Sequence, residues 1–156
     1  MKKLVALILV AVMCLALVAC YEPTEQTKST QDIDDAINAL PKDSYLIETT
    51  DYLWEAELDI EFKGEGKVKY LVYEAVMLDG KLVASDYNMP LLISCEIIVL
   101  EFEFTEDAES FAQYMAQTLE SYKNEDADGI LPDWIVKVRE DYVVMAKDQH
   151  HLDMVW

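Results

Sequence analysis

The stretch WEAELDIEFKGEGKVKYLVYEAVML, Trp54 to Leu78, decides the fold. In its first part Trp54, Ala56, Leu58, Ile60 and Phe62 alternate with Glu55, Glu57, Asp59 and Glu61. A period of two puts one set on each side of a strand, so one face is apolar and the other wholly acidic. Lys63-Gly64-Glu65-Gly66-Lys67 reads as a glycine turn. With Lys63 facing Lys67, Phe62 meets Val68, Ile60 meets Tyr70 and Leu58 meets Val72, while Glu61 meets Lys69 as an opposite-charge pair. A phosphate loop is the rival reading of Gly64 and Gly66, but no helix follows and carboxylates surround them. From Val68 to Leu78 both faces are apolar apart from Lys69 and Glu74, which predicts a central strand.

Outward from this stretch, Asp79-Gly80 predicts a tight two-residue turn and Lys81 to Tyr87 a returning strand. After Asn88-Met89-Pro90 a long strand is expected from Ile93 to Phe104. Upstream, Ile33, Ala36, Ile37 and Leu40 recur at helical spacing, with Asp32, Asp34 and Asp35 expected in the first turn, where the helix dipole favours negative charge. Pro41 ends that helix and a short strand, Tyr45 to Thr49, follows. Downstream, Thr105 can cap a helix whose stripe Phe111, Met115, Leu119 and Tyr122 reads as core rather than as a cofactor box. Trp134 to Arg139, a Glu140-Asp141 turn and Tyr142 to Lys147 complete the order. The expectation is an α+β fold: a single antiparallel sheet of about six to seven strands, with a short N-terminal helix and one longer helix packed on one face.

The N-terminus locates the protein. Met1-Lys2-Lys3 precedes an uncharged run from Leu4 to Ala19, sixteen residues, shorter than a spanning helix requires. It closes on Leu17-Val18-Ala19-Cys20, which resembles the lipobox of bacterial lipoproteins. The resemblance implies cleavage before Cys20, alkylation of its thiol by diacylglycerol, and frequent acylation of the new N-terminus. Two or more acyl chains make such anchoring stable. Cys14 is a poorer candidate, because bulky Met13 precedes it and the apolar run continues. Tyr21 stands where an aspartate commonly marks inner-membrane retention in Gram-negative cells. The expected organisation is residues 1–19 a cleaved signal, 20–31 the lipidated cysteine and a polar tether containing Pro23, and 32–156 one acidic domain. From Glu96 to Asp148, a strand, a helix, an acidic loop, LPDWIVKV and DYVVMA resemble, in outline, small uncharacterised lipoproteins of Gram-positive bacteria. That resemblance implies an extracytoplasmic location, anchored to the cell membrane.

Charge narrows the partners. Loss of Lys2 and Lys3 leaves ten basic and thirty-one acidic residues, a net charge of −21. Such a field repels nucleic acid and bare anionic lipid and favours cationic partners, metal ions or plain solubility. Cys95 is then the one unmodified cysteine, so no intramolecular disulfide forms, and its apolar strand makes it a small buried hydrophobe.

Candidate sites are few. Asn124, Asp126 and Asp128 with Gly129 match the opening of a calcium loop, and Leu131 takes its apolar place, but Ile135 stands where the bidentate glutamate belongs. The competing reading is an acidic helix exit with a glycine C-cap. Glu55, Glu57, Asp59 and Glu61 form a stripe suited to a basic partner, a cationic ligand such as a cell-wall amine or a cationic peptide, or simply a solvated sheet face, and an envelope protein is the other partner expected. His150 and His151 on an extended chain would point apart and make a poor metal pair. Exposed aromatics among Tyr52, Trp54, Tyr87 and Trp156 would mark a contact surface. No G-x-S-x-G, H-E-x-x-H or C-x-x-C occurs, so no catalytic residue and no cofactor beyond Ca2+ is assigned. The expected role is a binding or interaction module; the alternative is a small surface hydrolase or metal-dependent enzyme. Replacing the lipidation site, Cys20→Ser, is expected to release the protein from membranes in cell fractionation, and unchanged retention would contradict the anchor.

Overall fold

The structure is a computed structural model, and it describes residues 30–49, 66–85, 90–125 and 132–156. The signal, Cys20, most of the tether, the strand expected at 54–62 with its acidic stripe, Tyr87, Asp126 and Asp128 lie outside the described residues. In chain order the elements are α1 (Thr30–Asn38), β1 (Tyr45–Thr49), β2 (Gly66–Leu78), β3 (Lys81–Ala84), α2 (Leu91–Ser94), β4 (Cys95–Phe102), α3 (Thr105–Glu125), β5 (Ile135–Arg139), β6 (Tyr142–Ala146) and α4 (Gln149–Val155). The six strands form one antiparallel sheet in the order β1-β2-β4-β6-β5, with β3 paired to the far end of β2. The fold is α+β, as the strand patterns predict.

β2 is central, and the reason is its composition. Val68, Leu71 and Tyr73 face one side, and Tyr70 and Val72 the other, all buried. A strand apolar on both faces must be covered on both. β4 repeats the arrangement: Ile98, Leu100 and Phe102 lie on the first face, Ile97 and Val99 on the second. Two cores result. On the first face α3 seats Ala108, Phe111 and Met115; on the second, α1 seats Ile33 and Ile37, and α4 seats Leu152 and Val155. Each fully buried aliphatic or aromatic side chain contributes about 1.5–3 kcal/mol of transfer free energy. The expected packing of the N-terminal and longer helices on one face is therefore corrected: the sheet lies between them.

Further differences have local causes. Both sides of Tyr70 and Val72 are taken, by Thr49 and Ile47 of β1 and by Val99 and Ile97 of β4, and their expected partners Ile60 and Leu58 lie outside the described residues. α1 starts at Thr30, within the expected tether, so only Asp32 of the three aspartates lies in its first turn. The long strand from Ile93 is shortened by α2, where Ile93 and Ser94 donate backbone hydrogen bonds to the Pro90 carbonyl. β3 stops at Ala84, and Tyr122 of the α3 stripe is exposed. The Asp79-Gly80 turn forms as expected, both residues at positive φ (49° and 77°) between the paired Leu78 and Lys81. Gly66 is required where it pairs with Phe102: a Cβ there would come 2.4 Å from the Phe102 ring. Among the described residues no helix is long and apolar enough to cross a membrane.

Candidate functional site: two charged bulges and an apolar arm

The register between β2 and β4 slips twice, between Val68 and Tyr70 and between Val72 and Tyr73. Val68 faces Leu100 and Tyr70 faces Val99, so Lys69 is the extra residue of the first slip. Val72 faces Ile97 and Tyr73 faces Cys95, so Glu96 is the extra residue of the second. A bulge re-aims its side chain and flips the facing of the residues beyond it. Here it aims one charge at α1 and one at α4.

Lys69 Nζ lies 3.1 Å from Asp34 Oδ2 and 3.5 Å from Glu101 Oε1, and it also meets the Tyr142 hydroxyl. That hydroxyl donates toward Glu101 Oε1 at 3.2 Å and lies 3.3 Å from Asp34 Oδ2. Lys69 thus ties α1 to β4 and β6; its expected partner Glu61 lies outside the described residues. The neighbouring Tyr70 hydroxyl is pushed up to about 12, first by burial and then by the Asp34 charge.

Glu96 is the deeper of the two, 6% exposed. Its Oε1 accepts from Lys147 Nζ at 2.8 Å and its Oε2 lies 3.5 Å from His151 Nε2. Asp148 Oδ1 takes the other imidazole nitrogen, Nδ1, at 2.8 Å and caps α4 by accepting from the His151 backbone N–H at 2.9 Å. These bonds hold the Asp148 carboxyl below the usual carboxylate range. Tyr45 packs edge-on to His151 and donates to Met154 Sδ. The extended chain expected at the histidines is corrected: α4 is a helix, and its cap fixes His151 between two carboxylates. The signal was present in Asp148 followed by Leu152 and Val155, a cap before helically spaced apolar residues.

Chemically, a carboxylate, an imidazole and a second carboxylate in line can hold and pass a proton. No serine or cysteine nucleophile is bonded to His151 among the described residues, and Cys95 is fully buried with its thiol pushed up to about 12 by burial. Among the described residues no three His, Cys, Asp or Glu side chains group to hold a metal ion. Asn124 sits near the end of α3, and its expected partners Asp126 and Asp128 lie outside the described residues. Trp156 stacks on Arg139, 3.9 Å from guanidinium carbon to ring, so one face of this half-buried aromatic covers a charge. Burial of that guanidinium lowers its pKa.

The third feature is apolar. Beyond Glu74, β2 runs past the ends of β1 and β4 and is flanked only by β3 among the described residues. Val76, Met77 and Leu78 are 42%, 68% and 61% exposed. With Leu46, Leu82 and Val83 they line an open groove of about 620 Å³. The two-sided apolar pattern that makes β2 central thus continues into an arm that nothing described covers. The arm and the start of α1 lie at opposite ends of the sheet. Asp34 contacts Lys69 and Tyr142, near the Gly66 end, whereas Leu78 is nine residues further along β2, about 30 Å away.

No protein-family model, no curated protein and no solved structure matches this chain.

The Asp148 cap has a defined pH signature. Because its folded pKa is depressed, its stabilisation is fully present above the ordinary carboxylate pKa of 3.8 and is lost as pH falls through the lower folded value. Asp148→Ala should cost about 1 kcal/mol at neutral pH. In urea melts the gap between the two proteins should stay constant above about pH 5 and close below 3.8.

Proposed function

We propose that this is a membrane-anchored, extracytoplasmic lipoprotein of the bacterial envelope that works as a binding module, with the β2–β3 arm as its contact surface. Leu17-Val18-Ala19-Cys20 supports the anchor. The observation that carries the binding role is the arm: three consecutive large apolar side chains stand in solvent at the end of a strand whose middle is buried. Burying the exposed two-thirds of Met77 and Leu78 on a partner would recover about 1–2 kcal/mol each, a local reason to be bound. The placement suits an anchored protein, since a tether entering α1 leaves the arm at the far end of the domain.

Asp148, His151 and Glu96 favour a second reading, a small surface hydrolase in which His151 carries the proton. It predicts hydrolysis of an ester or peptide panel that His151→Ala abolishes while circular dichroism still reports a folded protein. The binding reading is tested by a photo-crosslinking amino acid placed in living cells at Met77 or, as a control, at Lys137 on the exposed edge of β5. It predicts an envelope protein captured at 77 and not at 137. The same capture profile at both positions would contradict it.

A further inference from the structure

The free edge of the arm says what form a partner takes. Val76 pairs with Val83, Leu78 pairs with Lys81, and Ser85 N–H donates to the Glu74 carbonyl. Residues of an antiparallel strand address their two neighbours alternately. Glu74, Val76 and Leu78 therefore address β3, and Ala75 and Met77 address the other side. There Ala75 N–H donates to the Ser44 carbonyl, just before β1 begins. The Ala75 carbonyl and both backbone groups of Met77 meet no strand among the described residues. An open edge beside apolar side chains is a template for an incoming strand.

Three occupants differ in charge and position. A second copy brings the same charge of −21 against itself, counted on a chain without residues 1–20. A bilayer holding the tether meets the opposite end of the domain. A cationic partner is drawn by the acidic field, and Glu74 and Asp79 flank the arm against Lys81 alone.

We infer that the arm takes an extended, basic segment of a partner protein, which adds a strand at Ala75 and Met77 and lays its apolar side chains on Met77, Leu82 and Leu46. This rests on the reading of the arm as a contact surface. The partner strand alternates apolar and basic residues. The apolar set enters the groove, and the basic set faces the acidic domain.

The test uses the full-length protein and a fluorescent, end-capped peptide alternating valine and lysine, measured by anisotropy. Its controls are a valine–glutamate peptide and a valine–lysine peptide N-methylated at alternate amides. Binding of the valine–lysine peptide is expected to weaken at least tenfold with Met77→Asp or with N-methylation, and to fall with salt; the glutamate peptide should not bind. Met77→Asp is a discriminating variant, because it adds negative charge and would tighten a purely electrostatic contact. Thermal melting of that variant, expected unchanged because Met77 is exposed, separates lost docking from lost folding. Equal binding of wild type and Met77→Asp would overturn the proposal, as would equal binding of the methylated peptide. Arm-dependent dimerisation of the free protein, or arm-dependent binding to phosphatidylcholine vesicles, would assign the arm to another occupant and overturn it too. In those cases the contact-surface reading survives; crosslinking at Met77 that matches the control position sinks that reading itself.

Discussion

The rest of the structure depends on one constraint, a central strand that is apolar on both faces. Val68, Leu71 and Tyr73 on one side of β2, and Tyr70 and Val72 on the other, require cover above and below. α3 supplies one cover and α1 with α4 the other. Helices as short as α1 and α4 do not hold themselves. They are held by Ile33, Ile37, Leu152 and Val155 in the core and by a charged contact at each bulge.

The bulges serve both needs at once. Each inserts one charged residue into a buried ladder, Lys69 in β2 and Glu96 in β4, and turns it toward a helix. Burying a charge is costly unless it is paired. Lys69 finds Asp34 and Glu101; Glu96 finds Lys147 and His151. These contacts specify where the short helices dock, which hydrophobic packing alone leaves loosely defined.

Much of this is legible in the sequence, for identifiable reasons. β1 from Tyr45 to Thr49, the core of β2, and the turns at Asp79-Gly80 and Glu140-Asp141 obey local rules of alternation and turn chemistry. The hidden part is non-local. Alternation gives a strand two faces but does not say which helix covers which, so one-sided packing is as consistent with the pattern as the two-sided packing found. A bulge leaves no mark in the residue pattern, so simple alternation matches Lys69 to Glu61 and passes over Glu96. His151 needs α4, a seven-residue helix whose cap and two apolar positions are too brief to outweigh an extended reading. The arm is visible as an apolar run, yet only the lengths of β1 and β4 reveal that its last residues outreach their neighbours.

The central claim is that β2 is fully paired through its middle and open along one edge of the arm. Residue-resolved amide hydrogen exchange on the free protein tests it most directly. The Val72 amide should exchange orders of magnitude more slowly than the Met77 amide, which should exchange nearly as fast as an unstructured one. Met77 protected to the level of Val72 would mean the edge is already covered, and would contradict the account.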